Sequence, residues 1–343
     1  MITIRQNAGW GLRGATWIVF LCVTSSVGLV EPLPAKSIIA APSDTHLTHL
    51  TMKAALRGEP DAHGGDARLR DLRFAHLTTN DGLSQGYVVA ILQDRRGFMW
   101  FATRDGLNRY DGNAFVVYKN NPNDSGSLSS NFLQDLMQDD HGYLWIATNT
   151  GVNKFAPETE RCTRYIHDPG NPNSLGGASV KTIAQDGRGS LWFGTEDSGL
   201  DKLDPTTGTF AHYRNDSDGH FVGRISQVIE DRHREIWFVG ERGLFHLNQK
   251  TGQITRPPAT GNGLSADSVY EDEAGNLWML TTSPIVGLVK YDRQAERLTT
   301  YPLGAHDVGV LASTSSGGVA ERHPCGGRAE WIMGAIQPGS LLL

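Results

Sequence analysis

Seven polar residues stand just after tryptophan-bearing apolar runs and could bind a small molecule: Arg104 and Asp105, Asn149, Glu196 and Asp197, and Glu241 and Arg242. Mixed carboxylate, guanidinium and amide groups of this kind hydrogen-bond polyols, while a solvated loop tip is the plain alternative for any one of them. Hydrolysis or elimination would need more, namely a convergent His/Glu set or an acidic metal constellation. The histidines are instead scattered: His141 falls in a turn, His212 and His246 in outer strands, and His220 and His233 in loops, where each reads as solvated surface. Cys22, Cys162 and Cys325 lie far apart and form neither a disulfide framework nor a Cys-x-x-Cys knuckle. No catalytic residue, metal site or cofactor is therefore expected.

The elements that carry these loops repeat. The pattern Asp-x-x-Gly-x-x-Trp occurs as Asp94, Gly97, Trp100; as Asp139, Gly142, Trp145; as Asp186, Gly189, Trp192; and as Asp272, Gly275, Trp278. One copy, Asp231 to Trp237, has Arg234 in place of its glycine. The tryptophans at 100, 145, 192, 237 and 278 are 45, 47, 45 and 41 residues apart. A period in the forties with strand-like pattern predicts an all-β fold, a β-propeller with one four-stranded sheet per repeat. Within the unit the aspartate can bond the backbone two residues on and glycine suits the last turn position, so the motif joins two antiparallel strands. In the following run, Trp145 and Ala147 share one face while Leu144, Ile146 and Thr148 share the other, a pattern suited to a strand between two sheets. The recurrent tryptophans read as packing.

Blade 1 is predicted to have its inner strand near 87–93, then strands at 99–103, 106–110 and 115–118. The same grammar gives blades over about 72–120, 121–167, 168–214, 215–257 and 258–304. Ahead of them, residues 1–14 carry Arg5 and Arg13 without an acid, and residues 15–30 are uncharged and apolar. With Ser26-Val27-Gly28 as a small-x-small site, residues 1–28 read as an export signal; left uncleaved, they would be an anchor and the chain's only membrane association. Residues 29–71 read as a flexible linker. A net charge of −6, with 31 Lys+Arg against 37 Asp+Glu and no basic stripe, argues against a nucleic-acid partner.

Gly82-Leu83-Ser84, Gln93-Asp94 with Gly97, Trp100, Ala102 and Thr103, the run Gly106-Leu107-Asn108-Arg109-Tyr110-Asp111-Gly112, and Asn171-Pro172-Asn173-Ser174-Leu175 together resemble two-component regulator propeller repeats. The resemblance covers about residues 72–301. It implies the periplasmic sensor region of a hybrid histidine kinase or diguanylate cyclase, responding to a small ligand such as an oligosaccharide and partnered by the remaining sensor or kinase portion. The chain departs from that family in having five recognisable blades, no β-sandwich pattern and no kinase motif. Residues 305–343 lack the expected next repeat and read as an irregular, aberrant tail, leaving an open arc of a larger, seven-bladed propeller with bare end faces. The competing functional readings are a propeller enzyme of the streptogramin lyase or lactonase type and a protein-interaction scaffold.

Overall fold

The structure, a computed structural model, describes residues 74–302 apart from 261–263 and 285, together with short strands at 2–5, 18–21, 319–325 and 328–334. The export-signal cleavage site, the linker and residues 305–318 lie outside the described residues. Strands β1 (Ile2–Arg5) and β2 (Ile18–Leu21) pair with β3 (Phe74–Leu77) in the order β2-β1-β3.

Five four-stranded antiparallel sheets follow. Blade 1 is β4 (Val88–Gln93), β5 (Met99–Thr103), β6 (Gly106–Tyr110) and β7 (Phe115–Tyr118). Blade 2 is β8 (Leu133–Gln138), β9 (Leu144–Thr148), β10 (Gly151–Ala156) and β11 (Arg161–Tyr165). Blade 3 is β12 (Val180–Gln185), β13 (Leu191–Thr195), β14 (Leu200–Asp204) and β15 (Thr209–Tyr213). Blade 4 is β16 (Ile225–Glu230), β17 (Ile236–Gly240), β18 (Gly243–Asn248) and β19 (Gln253–Thr255). Blade 5 is β20 (Ser265–Glu271), β21 (Leu277–Ser283), β22 (Gly287–Asp292) and β23 (Arg297–Pro302). The first strands of successive blades are neighbours, so β4, β8, β12, β16 and β20 form the inner wall.

The core lies between blades. Trp100, Ala102 and Leu107 pack on Leu133, Leu136, Ile146 and Phe155 of blade 2, and Trp145, Trp192 and Trp237 each meet the next sheet in the same way. Every second strand of the first four blades is buried along its whole length, which is why both its side-chain sets are apolar. Contact is close enough that Gly194 has no room for a side chain: a Cβ there would come within 2.7 Å of Ile225 in the next blade.

The arc is open. β3 pairs with β1, whereas among the described residues β23 of blade 5 pairs with β22 alone. The end faces are nevertheless less bare than the sequence suggests. Leu77, Leu83, Val88, Met99 and Phe101 form a buried cluster on the leading side of blade 1. At the other end Trp278 is only 7% exposed, its ring stacked on Tyr301 of its own outer strand at 5.7 Å. Farther along, β24 (Val319–Cys325) and β25 (Arg328–Gly334) pair antiparallel.

Candidate functional site

Each blade is fixed by one device, and it sets where the loops go. The motif aspartate turns one carboxylate oxygen to the backbone and gives the other to the indole. Asp94 Oδ1 accepts from Arg96 N–H at 2.9 Å and Phe98 N–H at 3.0 Å, while Trp100 Nε1–H donates to Asp94 Oδ2 at 2.9 Å. The same indole-to-carboxylate bond recurs at Trp145–Asp139 (2.8 Å), Trp192–Asp186 (3.0 Å), Trp237–Asp231 (3.0 Å) and Trp278–Asp272 (2.8 Å). Burial would raise the carboxyls of Asp231 and Asp272, but their hydrogen bonds outweigh it and hold both below the usual carboxylate range. In blade 4 Arg234 takes the left-handed φ of 66° that glycine occupies elsewhere, and Asp231 also receives the Arg293 guanidinium from blade 5.

A basic residue faces each tryptophan across the second and third strands: Arg109, Lys154, Lys202, His246 and Lys290. Lys202 Nζ lies 4.8 Å from the Trp192 ring and the His246 ring 4.6 Å from Trp237. His246 also bonds Glu235 at 2.9 Å, so it is a half-buried third-strand residue and not the solvated outer-strand histidine expected. Neighbouring blades are tied by a repeated bond from the residue before the aspartate: Gln138, Gln185, Glu230 and Glu271 accept from the backbone N–H of Arg95, Asp140, Gly187 and Arg232.

A second device holds the loop that leads into the inner strand. In blade 1 Ser84 N–H donates to Asn108 Oδ1 at 2.8 Å and Asn108 Nδ2 donates back to Ser84 Oγ at 2.9 Å. Ser129 and Asn153 repeat both distances in blade 2. In blade 3 the serine is Gly176 and the amide is Asp201, which accepts from Gly176 N–H at 2.7 Å and pairs with His212 Nδ1 at 2.6 Å. His212 Nε2 lies 2.9 Å from Pro172 O, so this histidine is a structural tie and again not solvated surface. The Asp201 bond raises its pKa. Gly176 makes the exchange possible, because a Cβ there would sit 3.0 Å from His212 Nδ1.

These devices bring the seven proposed ligand residues to one end of the sheets, beside the starts of the inner strands, where Val88 pairs with Thr103 and Leu133 with Thr148. Most are spoken for locally. Asp105 bonds Lys119 at 2.7 Å, Glu196 lies 2.7 Å from Lys181, and Glu241 is 3.6 Å from Arg242. Asp197 accepts from Ser198 Oγ at 3.1 Å, and Asn149 is exposed. Arg104 differs: its guanidinium lies 4.1 Å from the Tyr87 ring and 4.9 Å from the Phe132 ring, neither of which the sequence reading singled out.

Elsewhere, a cleft of about 610 Å³ opens at the rim between blades 2 and 3, lined by Tyr165, Ile166, Asn171 and Thr209 among others. Asp216, Asp218 and His220 are close enough to share a cation, but Asp216 Oδ1 already accepts from both Asp218 and His220 N–H groups in an Asp-x-x-Gly turn like those of the blades. Burial pushes the Cys162 thiol up to about 12, which leaves it unreactive.

Sheets, inner wall and recurrent Asp–Trp bond define a β-propeller assembled from one repeat. Residues 82–105, 127–150 and 174–197, in blades 1 to 3, match the two component regulator propeller family. A 55-residue stretch is 53% identical to Histidine kinase P4 of Formosa agariphila, covering 16% of this chain and 4% of that protein. The chain is similar to the extracellular domain of a hybrid two component system from B. thetaiotaomicron, with 26% identity and a TM-score of 0.62 over 78% of this chain and 37% of the other. It thus spans well under half of that domain. A virginiamycin B lyase from Staphylococcus aureus shares the fold at 13% identity and a TM-score of 0.54, over 73% of this chain and 81% of the lyase. No helix among the described residues is long and apolar enough to cross a membrane.

Proposed function

We propose that this chain is the ligand-sensing propeller of a two-component sensor, exported to the periplasm by its N-terminal segment and non-catalytic, with the loop face beside the inner strands receiving a carbohydrate. The observation that carries the reading is the regulator-propeller match in three successive blades, joined to similarity with an extracellular sensor domain. The chemistry of the loop face is in keeping with it. Apart from Arg104, its charged groups have close polar partners, and among the described residues the face presents no convergent nucleophile and base. The lyase-type alternative has the fold likeness in its favour, but His212 and His246 are held by Asp201 and Glu235 in structural ties.

A thermal-shift screen of the full chain against neutral oligosaccharides, acidic oligosaccharides and peptides tests the reading. Stabilisation by at least one saccharide, with no turnover by mass spectrometry, is expected. Stabilisation by none of them, or cleavage of any, contradicts it.

A further inference from the structure

We infer that Arg104, Tyr87 and Phe132 form a subsite for a carboxylate-bearing sugar, a hexuronate unit, at the junction of blades 1 and 2. The inference rests on the sensing reading above and narrows it to one place and one ligand class. Tyr87 is 48% and Phe132 36% exposed, among the few large apolar side chains left open to solvent, and both stand one residue before an inner strand. Arg104 reaches from blade 1 over both rings. The matching positions in blades 3 and 4 are Ser179 and Arg224 for the rings, and Glu196 and Glu241 for the arginine. The trio therefore serves no need of the repeat, whose framework positions recur in every blade.

The chemistry of the trio is specific. Among the described residues Arg104 has no carboxylate partner, and the acid beside it, Asp105, is taken by Lys119 at 2.7 Å. A guanidinium over rings keeps its fork of N–H donors, which matches a planar carboxylate with two parallel charge-assisted bonds. The open parts of Tyr87 and Phe132 give the C–H face of a pyranose an apolar surface on either side of the charge. A neutral sugar would offer the guanidinium hydroxyl acceptors but no opposite charge.

The test is calorimetric titration of the full chain with tetragalacturonic acid and with its methyl ester, which keeps the ring faces but removes the charge. The acid should bind at least tenfold more tightly than the ester, and its affinity should fall as salt is raised. Arg104→Met should abolish the difference between acid and ester, whereas Tyr87→Ala should weaken both. Equal affinity of acid and ester, an unchanged acid affinity in Arg104→Met, or no binding of the acid would each overturn the subsite. If the acid fails while a neutral saccharide stabilises the chain, sensing survives and only this subsite falls; if no saccharide binds, both fall.

Discussion

Blades 1 to 3 and blades 4 and 5 share the Asp–Trp bond but differ under the loop that leads into the inner strand. In the first three, a polar side chain on the third strand holds a backbone N–H of that loop: Asn108, Asn153 or Asp201. At the same position blade 4 has Phe245 stacked on Phe238 at 5.1 Å, and blade 5 has Val289 opposite Met279. The two devices are thus separable. The carboxylate-to-indole bond belongs to packing one sheet on the next, which every blade must do. In the first three blades the polar lock satisfies a backbone N–H of the loop that leads into the inner strand. Those blades are also the ones that match the regulator-propeller family, over 82–105, 127–150 and 174–197; Ser84, Ser129 and Gly176 fall inside the matched stretches, while Asn108, Asn153 and Asp201 lie just beyond them.

The largest effect should come from the shared device. Asp186→Ala strands a buried indole N–H and two part-buried backbone N–H groups, and Trp192→Ala empties the ring's place between blades 3 and 4. Each should cost about 3–5 kcal/mol in urea denaturation. Asp186→Asn should recover only part of this, since one face of the amide sets an N–H₂ against a donor. A similar loss from the Asp231 substitution in blade 4 would show that the device does not depend on the lock.

Removing the lock should cost less, about 1–3 kcal/mol for Asn153→Ala, because it orphans one loop N–H while the Ser129 hydroxyl keeps Thr148 Oγ1 at 3.1 Å. Blade 3 should then separate from blades 1 and 2 by pH. The Asp201 bond raises the pKa of His212 above its ordinary 6.5, so the folded state holds this proton more tightly than the unfolded chain. That stabilisation is complete below the unfolded value and is lost as pH rises through the folded one. Rebuilding the blade 2 lock in blade 3, with Gly176→Ser, Asp201→Asn and His212→Arg, should remove this part of the alkaline loss. A pH profile of melting temperature identical in both proteins would contradict the role of His212. The smallest effect is expected on the loop face: Asn149 is exposed, and its change to alanine should stay within about 0.5 kcal/mol.

How much of this could be read in the sequence depends on how local the signal is. Strands Met99–Thr103, Gly106–Tyr110 and Phe115–Tyr118 are found at their predicted bounds, because alternation, a turn glycine and a recurring tryptophan mark them within a few residues. The role of Asp94 was half legible. Its backbone bonds follow from turn chemistry, but its bond to Trp100 needs the turn to carry the carboxylate back beside the strand it starts. His212 and His246 were misread for the same reason: their partners are set by cross-strand register, His212 opposite Asp201 and His246 opposite Trp237. The inter-blade ties and the Arg104 trio join residues whose nearness only the assembled sheets reveal.

The Asp–Trp bond as the common fastener of all blades is tested most directly by hydrogen exchange at the indole N–H groups. The chain has 8 tryptophans, whose Nε1–H signals can be followed one by one by NMR after transfer to D₂O. Trp100, Trp145, Trp192, Trp237 and Trp278 should exchange slowly and together, each speeding up when its own aspartate is replaced by alanine. Exchange of these five at the rate of a free indole, or no change on removing the aspartates, would contradict it.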